Sequence, residues 1–182
     1  MNPMERLAEL AEPVTRHPTI LRVRRNHGLE HATIHILNRH KYILSGRSSE
    51  SGFILLGEAP TEQVESAVNE ALARMKAGEH KLALHPNCGT NLVTTGFLAT
   101  ALAFIGFAGR SLRQSWARFP NMMVAMMAAV FISTPLGMSV QKHFTTEGDL
   151  GEMELVSVRR ETKTLPFNGQ RVTLHRVVTR QG

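Results

Sequence analysis

The chain has 182 residues, 42% of them hydrophobic and 5% aromatic, which suits one soluble domain or a smaller domain joined to a membrane element. Its formal net charge of +6 would fit nucleic acid, but no basic stripe with interleaved aromatic residues is present, so we expect no nucleic-acid partner. The single cysteine excludes an internal disulfide, and the positive charge suits a surface of anionic lipid.

The first long element is a helix predicted over residues 19–40, with Pro18 as its first residue. Gly28 inside this segment lowers helix stability by roughly 1 kcal/mol relative to alanine. A helix of this length tolerates that loss. The missing side chain also predicts that another group can approach the helix backbone beside His27.

Three histidines and one glutamate stand in helical register on this segment: His27, Glu30, His31 and His35. At about 100° per residue they gather on one side of the helix. Two neutral imidazoles one turn apart can bind one metal ion, and a neighbouring carboxylate can accept a proton from a metal-bound water. The H-x-x-E-H pattern is also the inverted zinc motif of the inverzincin peptidases. The alternative is that these histidines are surface or hydrogen-bonded side chains without a ligand role.

A small α/β layer is predicted next, over residues 53–84. A hairpin joins residues 42–44 to residues 53–56 through a polar, glycine-bounded loop. A helix follows, capped by Thr61 and closed by Gly78. Its buried stripe is expected to consist of Val64, Ala67, Val68, Ala71, Leu72 and Met75. Residues 81–84 are predicted as a second strand, so that the histidine helix packs on a strand–helix–strand layer.

The segment His85-Pro-Asn-Cys-Gly-Thr-Asn91 is rich in turn-forming residues and holds a second set of metal-binding side chains. His85 and Cys88 are three residues apart, so both could reach one ion across a tight turn. The alternative is a turn that carries a buried free thiol.

Two uncharged stretches, residues 92–109 and 119–140, are predicted to cross a membrane as a helical hairpin. The first would be about 27 Å long as a helix, close to the hydrocarbon thickness of a bilayer. Small residues recur four apart in both stretches and permit close helix packing in lipid: Gly96 and Thr100, then Ala125, Ala129 and Ser133. The soluble alternative is a buried helical hairpin in a domain core.

Beyond residue 148 the chain is polar again. Residues 153–158 and 171–178 alternate apolar and polar side chains around Pro166-Phe-Asn-Gly169, which indicates a β-hairpin. His175 in its second strand is interpreted as a surface residue. The predicted fold class is α+β, with three parts: a small α/β domain with the histidine-bearing helix (1–91), a two-helix transmembrane hairpin (92–141) and a C-terminal β-hairpin (142–182).

Two separate blocks, His27-Gly-Leu-Glu-His31 and His85-Pro-Asn-Cys-Gly-Thr90, together resemble the YqhQ-like family of bacterial membrane proteins. That family carries an H-G-x-E-H block and a later H-x-x-C-G-T block, and is described as predicted metal-dependent enzymes without an established activity. The resemblance covers roughly residues 27–109. It implies that the motif positions are occupied by His27, Glu30, His31, His85 and Cys88. The two spans and the C-terminal hairpin depart from the family pattern, so a related uncharacterised bacterial membrane family is the nearer expectation.

Two functional hypotheses follow. In the first, the protein is a membrane-anchored hydrolase or peptidase in which His27 and His31 bind the metal, His85 or Cys88 is the third ligand, and Glu30 is the general base. Zinc fits a mixed imidazole and thiolate set best. By resemblance to the inverzincin peptidases, Glu62, Glu65 and Glu70 are alternatives for the third ligand.

In the second hypothesis the protein is not catalytic, and its metal site is structural or sensory. Glu30 would then be a metal ligand or a hydrogen-bond acceptor for one of the ligands.

We expect a multi-pass protein of the cell membrane, with the lipid bilayer as its partner and a homo-oligomer as an alternative assembly. The linker arginines Arg110, Arg113 and Arg118 favour a cytoplasmic linker. Against this, residues 1–12 lack the continuous apolar core of a signal peptide, so export of the large N-terminal part is disfavoured. We therefore expect both polar parts in the cytoplasm.

Overall fold

The computed structural model of the protein describes residues 3–164, 169 and 171–181. These residues form five α-helices and one four-stranded antiparallel sheet, which confirms the predicted α+β class. The chain divides into two compact units. The first unit combines residues 1–85 with residues 142–182, and the second unit consists of residues 86–141.

The elements of the first unit are α1 (Pro3–Thr15), α2 (Pro18–Arg39), β1 (Ser45–Ser49), β2 (Gly52–Leu56), α3 (Thr61–Lys76), a 3₁₀ turn (His80–Ala83), β3 (Glu154–Thr164) and β4 (Arg171–Arg180). The second unit contains α4 (Gly89–Phe107) and α5 (Leu112–Val140), and a π-helical turn over Gln141–Thr145 follows α5. Helix α2 begins at Pro18 as predicted, because the fixed φ of proline suits the first helical position.

The sheet has the strand order β1-β2-β4-β3, so the C-terminal hairpin adds to the N-terminal hairpin through antiparallel pairing of β2 with β4. Phe53 and Leu55 of β2, Val177 of β4 and Leu29 of α2 are buried in one hydrophobic core. Helix α3 adds the predicted stripe to this core: Val64, Ala67, Val68, Ala71, Leu72 and Met75. The predicted C-terminal hairpin is confirmed by the pairing of β3 with β4, while residues 166–168 of its predicted turn lie outside the described residues.

Two strand predictions were wrong. Residues 81–84 do not form a strand, because β4 occupies the place beside β2 and the segment closes into the 3₁₀ turn instead. The first strand is Ser45–Ser49 rather than residues 42–44, and a two-residue turn at Glu50 and Ser51 joins it to β2. This edge strand is polar and largely exposed, so it lacks the apolar alternation on which a sequence prediction depends.

His175 is fully buried, contrary to its interpretation as a surface residue. It lies on β4, which is an interior strand paired on both sides, with Leu55 opposite on β2 and Arg160 opposite on β3. Burial, assisted by the positive charge of Arg160, lowers the pKa of His175 and keeps the imidazole neutral at pH 7. An interior strand buries one face, so the histidine follows the alternation of its neighbours.

The second unit contains two helices that are long and apolar enough to cross a membrane. Large apolar side chains such as Phe97, Phe104 and Phe131 are exposed along them. The hydroxyl of Thr95 donates to that of Ser133 at 2.7 Å, and Gln141 Nε2 donates to Asn91 Oδ1 at 2.9 Å. Polar contacts therefore join the two helices on the side where they meet.

Candidate metal centre

Four imidazoles of the first unit form a row. His27, His31 and His35 lie on successive turns of α2, and the ring centroids of His27 and His31 are 4.4 Å apart. His85 follows the 3₁₀ turn, and its ring centroid lies 5.6 Å from that of His31 and 4.7 Å from that of His35. The segment after the 3₁₀ turn thus brings a distant histidine to the same helix face that the sequence pattern singled out.

Backbone carbonyls fix the orientation of the three helix imidazoles. Nδ1 of His31 donates to the carbonyl of Ala83 at 2.7 Å, and Nε2 of His35 donates to the carbonyl of Leu84 at 2.8 Å. Nδ1 of His27 donates to the carbonyl of Thr145 at 2.9 Å. A carbonyl oxygen only accepts, so the bonded nitrogen must carry the proton, and in the neutral ring the other nitrogen offers a lone pair. This is the arrangement in which histidines bind metals, with one nitrogen on the ion and the other donating to a fixed acceptor.

The surroundings of His85 favour the neutral form of its ring. Partial burial, and then the positive charge that His35 and His31 can carry, lowers the pKa of His85 to about 4. The ring is therefore neutral at pH 7, as a metal ligand must be. Protons compete for His85 only in acid solution.

Glu30 lies on the side of α2 that faces the sheet. The residue is 4% exposed, and its carboxylate accepts a hydrogen bond of 2.5 Å from the hydroxyl of Ser48 on β1. Gly46 makes room for it, because a Cβ at that position would overlap the carboxylate. Burial raises the pKa of Glu30, while the Ser48 hydrogen bond and the charge of His27 act in the opposite direction. Glu30 is therefore a buried carboxyl group beside His27, and it is oriented towards Ser48 of β1.

Residues 145–147 follow the second unit and supply the carbonyl of Thr145 that accepts from His27. This segment is itself bound to α2. Arg24 is buried, and its guanidinium donates to the carbonyl of Thr146 at 2.9 Å and lies 3.5 Å from the carboxylate of Glu147. The backbone N–H of Glu147 donates to the carbonyl of Arg24 at 3.0 Å. The predicted close approach at Gly28 is confirmed, since a Cβ there would overlap the carbonyl oxygen of Glu147.

Cys88 belongs to the second unit, where it is the N-cap of α4 and its sulfur accepts from the backbone N–H of Thr90 at 3.4 Å. Its buried thiol is free of any disulfide. A thiolate is a common zinc ligand, so Cys88 is a candidate by ligand type. The alternative ligands Glu62, Glu65 and Glu70 lie on α3 with exposed side chains.

The structure adds two features to the predicted set. His35, whose helical register with His27 and His31 is already a signal in the sequence, joins the row through His85 although it was not assigned as a ligand. The carbonyl acceptors of Ala83, Leu84 and Thr145 have no such signal, because every residue type carries a carbonyl.

Comparison with known proteins places these residues in a family. A protein of Picosynechococcus sp., itself described as uncharacterised, is 36% identical over 138 residues, which cover 70% of this chain and 67% of the relative. No solved structure matches the chain. Residues 22–158, which contain every residue proposed for the site, match the family described as "Domain of unknown function (DUF6391)". These findings support the expectation of an uncharacterised family and give no support to the YqhQ-like resemblance. The chain belongs to the DUF6391 family.

Proposed function

We propose that the protein is a membrane-anchored metal-binding protein whose ion is held by His27, His31 and His85. The observation that carries the proposal is the pair of hydrogen bonds from Nδ1 of His27 and Nδ1 of His31 to backbone carbonyls. These bonds fix the ring tautomers, so that Nε2 is the metal-binding nitrogen of both rings, on adjacent turns of one helix.

Zinc is the proposed ion. Imidazole ligands suit zinc among the common metals, and three protein ligands leave a fourth position for water, as in catalytic sites. Cys88 stays a candidate ligand through its spacing of three residues from His85, and a fourth protein ligand would favour a structural or sensory site. Metal analysis of the detergent-purified protein tests the proposal, with about one zinc per chain as the expected result.

We further propose that α4 and α5 cross the membrane and that the polar parts of the chain lie in the cytoplasm. Support comes from the large apolar side chains exposed on both helices, since a soluble core would bury most of them. The protein should stay in the membrane fraction after an alkaline carbonate wash, and a fluorescent reporter fused after Gly182 should be active in the cytoplasm. Release by carbonate would contradict the spans, and a silent reporter on a stable fusion would contradict the orientation.

A second candidate function is metal-dependent hydrolysis with Glu30 as general base. The observation that favours it is the buried carboxyl group beside His27, whose pKa is raised by burial. A general base works best when its pKa is close to the working pH, and burial shifts a glutamate in that direction. A metal ion at such a site would supply a bound water with a lowered pKa.

Glu30→Gln separates the two candidates. The amide can still accept the hydrogen bond from Ser48, so the fold and the metal content should be preserved. It cannot take a proton at neutral pH, so hydrolysis of a labelled peptide or of p-nitrophenyl acetate should fall by about 10²–10⁴-fold. Glu62→Gln makes the same chemical change at an exposed position on α3 and should alter neither quantity.

Three other outcomes would count against hydrolysis. Loss of metal from Glu30→Gln would make Glu30 a ligand or an essential partner of one, which favours the structural or sensory role. Wild-type metal with unchanged activity would remove Glu30 from the reaction. Absence of any metal-dependent activity in the wild-type protein would leave metal binding as the function.

A further inference from the structure

A cavity of about 250 Å³ lies in the first unit between the 3₁₀ turn and residues 142–148. Its lining includes His80 and Lys81 from the 3₁₀ turn and Lys142 and Glu147 from the other wall. Gly148 keeps the two walls close, because a Cβ there would lie 2.6 Å from Cβ of His80. The cavity is smaller than the 300–1,000 Å³ or so that is usual for drug-sized ligands, so it suits a small group.

The charge of this cavity is positive. Among the described residues, neither Lys81 nor Lys142 forms an ion pair with a carboxylate. The one carboxylate in the lining, that of Glu147, is already engaged by the guanidinium of Arg24 at 3.5 Å and by the backbone N–H groups of Gly148 and Asp149 at 3.0 and 3.2 Å. The sequence contains no aspartate or glutamate between Glu79 and Glu147. Two lysines therefore line the cavity, and the one carboxylate among the lining residues is engaged by other groups.

We propose that this cavity binds a phosphate group through Lys81 and Lys142. Lysine binds phosphate as a point charge, and two ammonium groups can share the charge of one phosphate dianion. A carboxylate ligand would gain less, because it carries one negative charge and fewer acceptor oxygens. The phosphate group has two possible sources, a free phosphate compound or the headgroup of a phospholipid. The cavity adjoins the row of histidines through Ala83 and Leu84, but neither lysine is a proposed metal ligand, so phosphate binding does not require the metal.

The test uses the full chain, purified in detergent and treated with a chelator, so that its outcome is independent of the metal proposal. Inorganic phosphate is titrated calorimetrically into the wild-type protein and into the double variant Lys81→Gln/Lys142→Gln. The double variant should bind phosphate at least about tenfold more weakly, since hydrogen bonds to charged groups are each worth that factor or more. Lys163→Gln on β3 removes one exposed positive charge elsewhere and should bind like the wild type. A shared melting temperature shows that the variants are folded.

A second arm uses mixed micelles that contain phosphatidic acid, with phosphatidylcholine micelles as the neutral comparison. Binding of inorganic phosphate that depends on the two lysines supports a free phosphate compound. Binding of phosphatidic acid alone, with the same dependence, supports a lipid headgroup. The proposal is overturned if the wild-type protein binds neither probe, or if the double variant binds as tightly as the wild type.

Discussion

His31→Ala is expected to strip the protein of its metal, whereas His40→Ala should leave about one ion per chain. His31 has the central position in the row, since its ring neighbours those of both His27 and His85. It is 2% exposed, and its bond to the carbonyl of Ala83 leaves Nε2 as the coordinating nitrogen. Removing this ring separates His27 from His85, so these two proposed ligands no longer have a common neighbour in the row. Loss of a hydrogen-bond partner of a metal ligand lowers metal affinity by about 10–100-fold. Loss of the ligand itself should therefore lower metal affinity by more than that.

The measurement is elemental analysis of the purified variants, and His40 provides the matched control. His40 is the C-cap of the same helix and is exposed, so its replacement removes an imidazole without touching the row. His31→Gln distinguishes loss of a ligand from loss of the fold, because its amide can still donate to the carbonyl of Ala83. Folded His31→Gln protein without metal is the expected result. Wild-type metal content in folded His31→Gln or His31→Ala protein would contradict the proposed site.

The helices of this protein were predictable because their signals are local. Pro18 fixes the start of α2, and the apolar spacing of α3 names its buried residues correctly. The two apolar helices follow from composition alone, although α5 begins at Leu112 and so includes residues assigned to a linker. Capping of α5 by Ser111 and Gln114 explains this earlier start.

The sheet was less predictable because its pairing is not local. Strand β4 lies between β2 and β3, so the burial of His175 depends on a partner more than 100 residues away in the sequence. The same pairing leaves no place beside β2 for a strand at residues 81–84. A run of four residues cannot by itself reveal whether a sheet edge is available to it.

The sequence predicted which residues of α2 lie near the candidate site, but it did not predict the orientation of each side chain. Helical register places His27, Glu30 and His31 on one side of α2, and the structure keeps His27 and His31 in a common row. Glu30 lies about 60° from His27 on the helix wheel. Strand β1 packs on that side of α2, and the carboxylate of Glu30 accepts a hydrogen bond from Ser48 of this strand. The orientation of the Glu30 side chain therefore depends on β1, which is not evident from the sequence of α2.

Gly28→Ala is expected to destabilise the protein and to weaken metal binding, although alanine is the better helix former by roughly 1 kcal/mol. The new Cβ would overlap the carbonyl oxygen of Glu147, which is a backbone atom and cannot rotate away. The segment would have to withdraw from α2, breaking the hydrogen bond from the N–H of Glu147 to the carbonyl of Arg24. Forced overlap of this kind costs about 1–3 kcal/mol, which exceeds the gain in helix propensity.

Withdrawal of this segment also removes the carbonyl of Thr145 from Nδ1 of His27, so the ring loses the acceptor that fixes its tautomer. Gly28→Ala should therefore lower the melting temperature and reduce zinc affinity together, the latter by about 10–100-fold. Gly96→Ala is the matched control, since it is also a helical glycine but nothing lies within 4 Å of the added Cβ. Its melting temperature and zinc affinity should equal or exceed those of the wild type. Equal behaviour of the two variants would mean that the close approach at Gly28 supports neither the fold nor the orientation of His27.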